Sequence, residues 1–291
     1  MKNSEGMMRR ILSILVLMTG MSGTTFAQGS EALSNRMPGV LNRMESNQLA
    51  ERESALSDLC KLARNESGQA QGTDCAVALS GLLKQHPEQV EATTVALIKS
   101  LTADNGVFMD ENTAPGTYTE ADSEHYATLI DIVASLNDER SIPSLVGAIT
   151  TGGLAEQGLM KFGRKALDPL LIQLRTSASP MVRSESLATA VTILLRGNDA
   201  ESHSRVFQLI QSGLQDKEFL VRIAAIQSIE RLEDGSSFIP ELRLLAEHDP
   251  LKIEGHGEGG TDEYPVRREA DRALQKIMKK GQPHGEDDTT Q

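Results

Sequence analysis

Aromatic residues are scarce in this chain of 291 residues, which has three tyrosines, six phenylalanines and no tryptophan. Long runs in which β-branched and polar residues alternate are also missing, and such runs are the usual sign of half-buried strands. Alanine, leucine, serine, glutamate and arginine are common instead. Since most of these residues favour helices, the composition predicts an all-α protein.

Basic residues are too few to balance the acidic ones, with 29 Lys and Arg against 41 Asp and Glu, for a net charge of −12. Proteins that bind nucleic acid neutralise phosphates with clustered Lys and Arg, and anionic membranes attract the same residues. We therefore expect neither nucleic acid nor an anionic membrane surface as a partner. Solubility is the simplest consequence of such a charge.

A hydrophobic run long enough for a membrane span is missing as well. The run ILSILVLMTGMSG follows a basic segment that ends at Arg10, and it is shorter than the roughly 20 residues that a span needs. Small residues, Thr25 and Ala27, come after it, which is typical of a secretory signal peptide. The sequence predicts removal of residues 1–27 by cleavage near Ala27, a linker over 28–37, and a periplasmic or secreted protein. The alternative is a buried N-terminal helix.

Only two cysteines are present, Cys60 and Cys75, separated by a polar connector that contains glycine. In an oxidising compartment they are expected to form a disulfide, although two free buried thiols are the alternative. No Cys-x-x-Cys pair and no Cys/His set with zinc-site spacing occurs, so we expect no metal ligation by these residues.

A helical pattern occurs three times in the second half of the chain. Each copy starts with a Val-Arg pair, at Val182, Val221 and Val266. Small residues follow four and seven positions after the valine, and apolar residues follow eight and eleven positions after it. These positions share one face of a helix. Small side chains on that face allow a neighbouring helix to approach closely.

A second kind of helical segment lies between these copies and carries proline near its start, at Pro143, Pro169 and Pro240. Proline is tolerated in the first turn of a helix, where its missing N–H costs nothing. Weaker copies of the Val-Arg pattern begin at residues 51, 90 and 151. The chain is therefore predicted to repeat a helix–turn–helix unit of roughly 30–45 residues, a period typical of helical arrays.

The segments LNDERSIPSLVGAI and FGRKALDPLLIQL, together with the three Val-Arg helices, resemble HEAT repeats of the phycobilisome-lyase-like subtype. The resemblance is good over residues 123–280 and suggestive over 38–102. It implies an α-solenoid of stacked helix pairs over residues 38–280. It also implies that Arg183, Arg222 and Arg267 pack between repeats and bond to neighbouring carboxylates or carbonyls.

Two segments are predicted to interrupt the array, residues 103–122 and 252–264, because both are rich in turn-forming and charged residues. Such inserts often serve binding. A tail over 281–291 is expected to be disordered. The second insert carries four side chains that would suit a cation, although a solvated loop is the alternative: His256, Glu258, Asp262 and Glu263.

Catalytic motifs are missing: Gly-x-Ser-x-Gly, His-Glu-x-x-His and a P-loop are all absent. The sequence therefore predicts a non-catalytic scaffold that needs no cofactor. The alternative is an enzyme or regulatory module related to the bilin lyases, which the repeat subtype resembles.

A protein or peptide is the partner that we expect, held by the second helix of each unit, which in HEAT-like arrays lines the concave side. The residues outside the predicted packing face would then contact the partner. Alternatively, the apolar ones among them, Leu187, Val191 and Ile226, only widen the buried face. The candidates are Leu187, Val191, Ile223, Ile226, Arg268 and Arg272.

Overall fold

The computed structural model describes residues 33–108, 117–151, 153–197, 199–255 and 262–280. Thirteen α-helices account for most of these residues. Within the described residues, β-type pairing is limited to an isolated antiparallel bridge between Ile253 and Glu263. The prediction of an all-α protein is confirmed for this part of the chain. The predicted signal peptide, residues 1–27, and the predicted tail, residues 281–291, lie outside it.

The chain divides into two compact units, one ending at Leu136 and the other starting at Asn137. In unit 1, α2 contacts α3 and α5, and α5 also contacts α3 and α4. Fully buried leucines, among them Leu59, Leu79 and Leu129, fill the space between these helices. The helices are α1 (residues 33–44), α2 (Leu49–Glu66), α3 (Cys75–Gln85), α4 (Val90–Phe108) and α5 (Glu120–Leu136).

Helices in unit 1 extend beyond the predicted boundaries. Helix α1 already includes Leu33, five residues before the expected start of the array, because Leu33 is fully buried and adds to the core. Helix α4 continues to Phe108, six residues into the segment predicted as an insert. Asp and Gly at its end are turn-forming residues, but burial of Asp104 holds the last turns of α4 in the helix.

The predicted disulfide lies in unit 1. The sulfur atoms of Cys60 and Cys75 are at bonding distance, and the Cα atoms are 5.2 Å apart. Asp74 precedes Cys75 and caps α3, since its carboxylate accepts hydrogen bonds from the backbone N–H groups of Ala76 and Val77. The bond therefore joins the second half of α2 to the capped start of α3.

Unit 2 consists of helix pairs. We call α6, α8, α10 and α12 the first helices and α7, α9, α11 and α13 the second helices. Each first helix contacts the second helix that follows it, and successive second helices contact one another. The bounds are α6 (Ile142–Gly147), α7 (Leu154–Phe162), α8 (Leu167–Thr176), α9 (Pro180–Gly197), α10 (Ala200–Leu214), α11 (Phe219–Glu230), α12 (Ile239–His248) and α13 (Pro265–Lys280).

The small residues of the Val-Arg pattern lie on the packed face of the second helices, as their spacing predicts. All six are at most 1% exposed. Prolines occupy the first turns of α6, α8 and α12, also as predicted. The six small residues are Ser186, Thr189, Ala225, Ser228, Ala270 and Ala273.

Gly213, near the end of α10, allows a close helix approach in this packing. A Cβ atom placed there would lie 2.7 Å from Cδ2 of Leu187 and 2.8 Å from Cβ of Ala225. Both distances are well inside van der Waals contact. The absence of a side chain at Gly213 therefore allows α10 to lie against α9 and α11 together.

Candidate interaction surface

The arginines of the Val-Arg pairs lie at the turns that lead into the second helices. Nη1 of Arg222 donates to the carbonyl oxygens of Asp216 and Lys217, both at 2.9 Å, while Nε and Nη2 donate to the carboxylate of Asp249 at 2.7 and 3.1 Å. Arg183 repeats the arrangement one helix pair earlier, with its Nη2 donating to the carboxylate of Asp216 at 3.2 Å. Arg183 and Arg222 each bond to carbonyl oxygens of the turn before their own helix and to an aspartate that follows the next first helix.

Asp216 and Asp249 each connect two helix pairs. The carboxylate accepts from the arginine of the preceding pair, and the main-chain carbonyl accepts from the arginine of its own pair. Asp249 reaches Arg267 at 2.8 Å although 18 residues separate them, whereas six separate Asp216 from Arg222. The insert before α13 accounts for the difference. The bridge between Ile253 and Glu263 closes the base of that insert.

A related network in unit 1 is centred on Asp104. Nε of Arg52 donates to Oδ1 of Asp104 at 2.7 Å, and Nε2 of His125 lies 2.9 Å from Oδ2. Arg52 also donates to the carbonyl oxygen of Ser46 at 2.7 Å. All three side chains are nearly inaccessible to solvent. Arg52 occupies the position after the start at residue 51, but Asp104 and His125 were not predicted.

Burial changes the acidity of neighbouring groups in this network. Desolvation, followed by the repulsion from the Asp104 carboxylate, raises the pKa of Tyr126 well above its usual value. Desolvation also raises the pKa of Glu53, with a hydrogen bond to the Asp122 carboxyl as the next cause. Asp122 has a lowered pKa because the backbone N–H of Thr119 donates to it. Tyr126 is buried and Glu53 and Asp122 are half-buried, so these groups stabilise the fold and do not line an open cleft.

For three of the predicted partner-binding residues, the prediction of a surface contact is wrong. Leu187, Val191 and Ile226 are completely buried. Helix α9 is contacted by α7, α8, α10 and α11, so its apolar face is wider than the periodic positions indicate. These side chains belong to the core, which is the alternative interpretation of the pattern.

The other three predicted residues retain exposed surface. Ile223 is half-buried on α11. Arg268 pairs with Glu263 on the insert, and Nε of Arg272 lies 3.1 Å from Glu230 of α11. Both arginines are therefore paired with carboxylates of the same unit, so their charges contribute little to binding a partner.

The second-helix face also contains a half-buried carboxyl group. Burial raises the pKa of Glu185, the negative charge of Glu156 raises it further, and the positive charge of Arg231 opposes them. Arg231 in turn donates from Nη1 to the hydroxyl of Thr192 at 2.8 Å. This face is therefore polar and internally paired along much of its length.

An open groove lies on the opposite, first-helix side of unit 2. It runs between α8 and α10, which both pack on α9, and has a volume of about 710 Å³. Leu171 and Leu174 of α8 line one wall, and Leu209 of α10 lines the other. All three leucines are half-buried. Clefts of 300–1,000 Å³ are of the size that proteins use for ligands.

Positive charge is concentrated at one end of this groove, where α8 and α10 end. Arg183 contributes to the lining, but the Asp216 carboxylate neutralises it. Arg175 is exposed and has no ion-pair partner among the described residues. The Lys217 side chain is 83% exposed, and its carboxylate neighbour, Glu218, is 3.9 Å away. An unpaired arginine and a weakly paired lysine therefore border a groove with leucine walls in an acidic protein.

The candidate cation site in the second insert is only partly described. Asp262 lies 3.2 Å from Nζ of Lys252, and Glu263 pairs with Arg268. His256 and Glu258 lie outside the described residues. Across the described ranges, no group of three or more His, Cys, Asp or Glu side chains is arranged to hold a metal ion. Nor is any helix in these ranges both long and apolar enough to cross a membrane.

Comparison of the chain with protein-family models, with curated proteins and with solved structures finds no match.

Proposed function

We propose that the chain is an exported, non-catalytic scaffold of the HEAT-like α-solenoid type that binds a protein partner through unit 2. The observation that carries the proposal is the repeated connection of helix pairs through Arg183, Asp216, Arg222 and Asp249. Arrays joined between neighbours in this way present long, rigid surfaces, and such surfaces serve binding in repeat proteins.

The first-helix side is the surface that we propose for the partner. Three successive first helices expose a large apolar side chain: Ile172 of α8 is 54% exposed, Phe207 of α10 is 37% exposed and Leu244 of α12 is 61% exposed. The second-helix face, where the sequence placed the partner, has lost three of its apolar candidates to the core. Exposed apolar side chains are a common feature of protein-binding surfaces.

Crosslinking inside cells tests this proposal. A photoreactive amino acid at Ile172 or Leu244 is expected to give an adduct with one defined protein, identified by mass spectrometry. The same probe at Ile223 or Arg268, on the second-helix face, is the matched control and is expected to give less of that adduct. Adducts only at Ile223 and Arg268 would return the partner to the second helices. No adduct at any of the four positions would contradict a protein-binding function.

Export is a separate part of the proposal, supported by the N-terminal sequence and by the joined Cys60 and Cys75. The intact mass of protein isolated from the cell envelope should correspond to a chain that starts at Gln28. A mass that includes Met1 in that fraction would show that the segment is not removed.

A further inference from the structure

We propose that the groove between α8 and α10 binds an extended protein segment in which apolar side chains lie next to a carboxylate. The inference rests on the proposed function, because it assigns a chemistry to the partner of the same unit. It names Leu171, Leu174 and Leu209 as the apolar walls and Arg175 and Lys217 as the groups that receive the carboxylate.

The shape of the groove supports a segment rather than a folded domain. Its volume of about 710 Å³ accepts a few side chains, and its floor is closed by Leu187 of α9. The wall leucines are only half-buried, so a ligand that covers them removes further apolar surface from water. Burial of that kind favours the complex.

The charge of the groove selects the polar part of the ligand. The chain has a net charge of −12, yet Arg175 stands at one end of the groove without an ion-pair partner among the described residues, and Lys217 beside it has only a long contact of 3.9 Å with Glu218. Arg183, beside them, is already paired with Asp216 and is held by two carbonyl oxygens of its own turn. An incoming carboxylate can therefore bind Arg175 without displacing an existing pair, and the exposed Lys217 adds positive charge beside it, so its approach is favoured electrostatically.

Selection from a display library of random peptides, with the purified disulfide-bonded protein as the target, tests the chemistry. Enriched peptides are expected to contain two or more apolar residues next to Asp, Glu or the terminal carboxylate. Enrichment of basic peptides, of apolar peptides without an acidic residue, or of no peptide would overturn the inference.

Charge reversal at the groove tests the location. Arg175→Glu combined with Lys217→Glu is expected to weaken binding of the best acidic peptide about tenfold, because attraction between the peptide carboxylate and two cations is replaced by repulsion. The matched control combines Lys161→Glu with Arg196→Glu, which changes the net charge equally at exposed positions that do not line the groove. Equal weakening by both double variants would overturn the site.

Two further readouts keep the test independent of folding. Circular dichroism confirms that both double variants retain their helices. In the peptide, replacing the apolar residues by serine is expected to reduce affinity at least tenfold without any change to the protein. If cellular crosslinking captures a partner while acidic peptides ignore Arg175 and Lys217, the proposed function stands and this groove assignment fails.

Discussion

Arg222 and Asp249 form a two-point ion pair between consecutive helix pairs of unit 2. Nε of Arg222 lies 2.7 Å from Oδ2 of Asp249, and Nη2 lies 3.1 Å from Oδ1. The side chains are 10% and 1% exposed. The same carboxylate accepts the backbone N–H of Leu251 at 3.0 Å, while the carbonyl of Asp249 accepts from Arg267. One aspartate therefore holds a turn, the preceding arginine and the following arginine in a fixed arrangement.

Removing this carboxylate should destabilise unit 2 strongly. Asp249→Ala leaves the Arg222 guanidinium buried without its counter-charge, and breaking a buried pair in this way costs about 3–5 kcal/mol. Urea unfolding followed by circular dichroism measures the loss. The control is Arg268→Ala, which removes an exposed ion pair of about 0–1 kcal/mol. A loss for Asp249→Ala no larger than that of the control would show that the pair does not hold the helix pairs together.

The positions of the small residues could be predicted because helical periodicity is a local property of sequence. Ser186, Ala225 and Ala270 each lie four residues after a valine, and all are buried. The width of the apolar face could not be predicted in the same way. Leu187 and Ile226 lie beside the periodic positions, and they are buried because other helices contact α9 and α11 from additional directions.

The networks of buried charge were the least predictable part of the structure. Arg52 and Asp104 are 52 residues apart, and their pairing depends on how α2 and α4 pack around α5. Asp249 has the same role as Asp216. Asp216 lies six residues before its arginine, whereas the insert before α13 places Asp249 18 residues before Arg267, so a search at constant spacing would miss it. Local sequence patterns do not show which residues far apart in the chain come together. For the same reason, the groove and the charges around it could be identified only from the structure.

Ala225→Leu is expected to destabilise unit 2 by roughly 1–3 kcal/mol, because added methylene groups in a filled core force neighbours apart. The Cβ of Ala225 faces Gly213, where even a methyl group would lie 2.8 Å away. Gln227→Leu places the same side chain on the exposed side of α11 and should change stability by much less. Equal thermal midpoints for Ala225→Leu and the parent would mean that α10 is not packed against this face.

Replacing Cys60 and Cys75 together by serine should lower stability by about 3 kcal/mol, the value expected for a closed loop of about 15 residues. The loss arises mainly from the greater freedom of the unfolded chain. Unit 1 contains both cysteines, so limited proteolysis should open cleavage sites in residues 49–85 before any in residues 180–280. Thiol labelling of the native parent before reduction is the control, and two labelled cysteines there would disprove the bond.

Glu185→Gln should stabilise the protein at neutral pH. The folded-state pKa of Glu185 is raised above its usual 4.5 by burial first and by Glu156 second. The folded protein therefore binds the proton more tightly than the unfolded chain, and the associated stability is complete below pH 4.5 and is lost as the pH rises through the folded pKa. Glutamine removes the buried charge, so the thermal midpoint should exceed that of the parent near pH 7 and equal it below pH 4.5. The exposed Glu233→Gln should leave the midpoint unchanged at both pH values. A lower midpoint for Glu185→Gln at pH 7 would show that Arg231 stabilises the carboxylate more than burial and Glu156 oppose it.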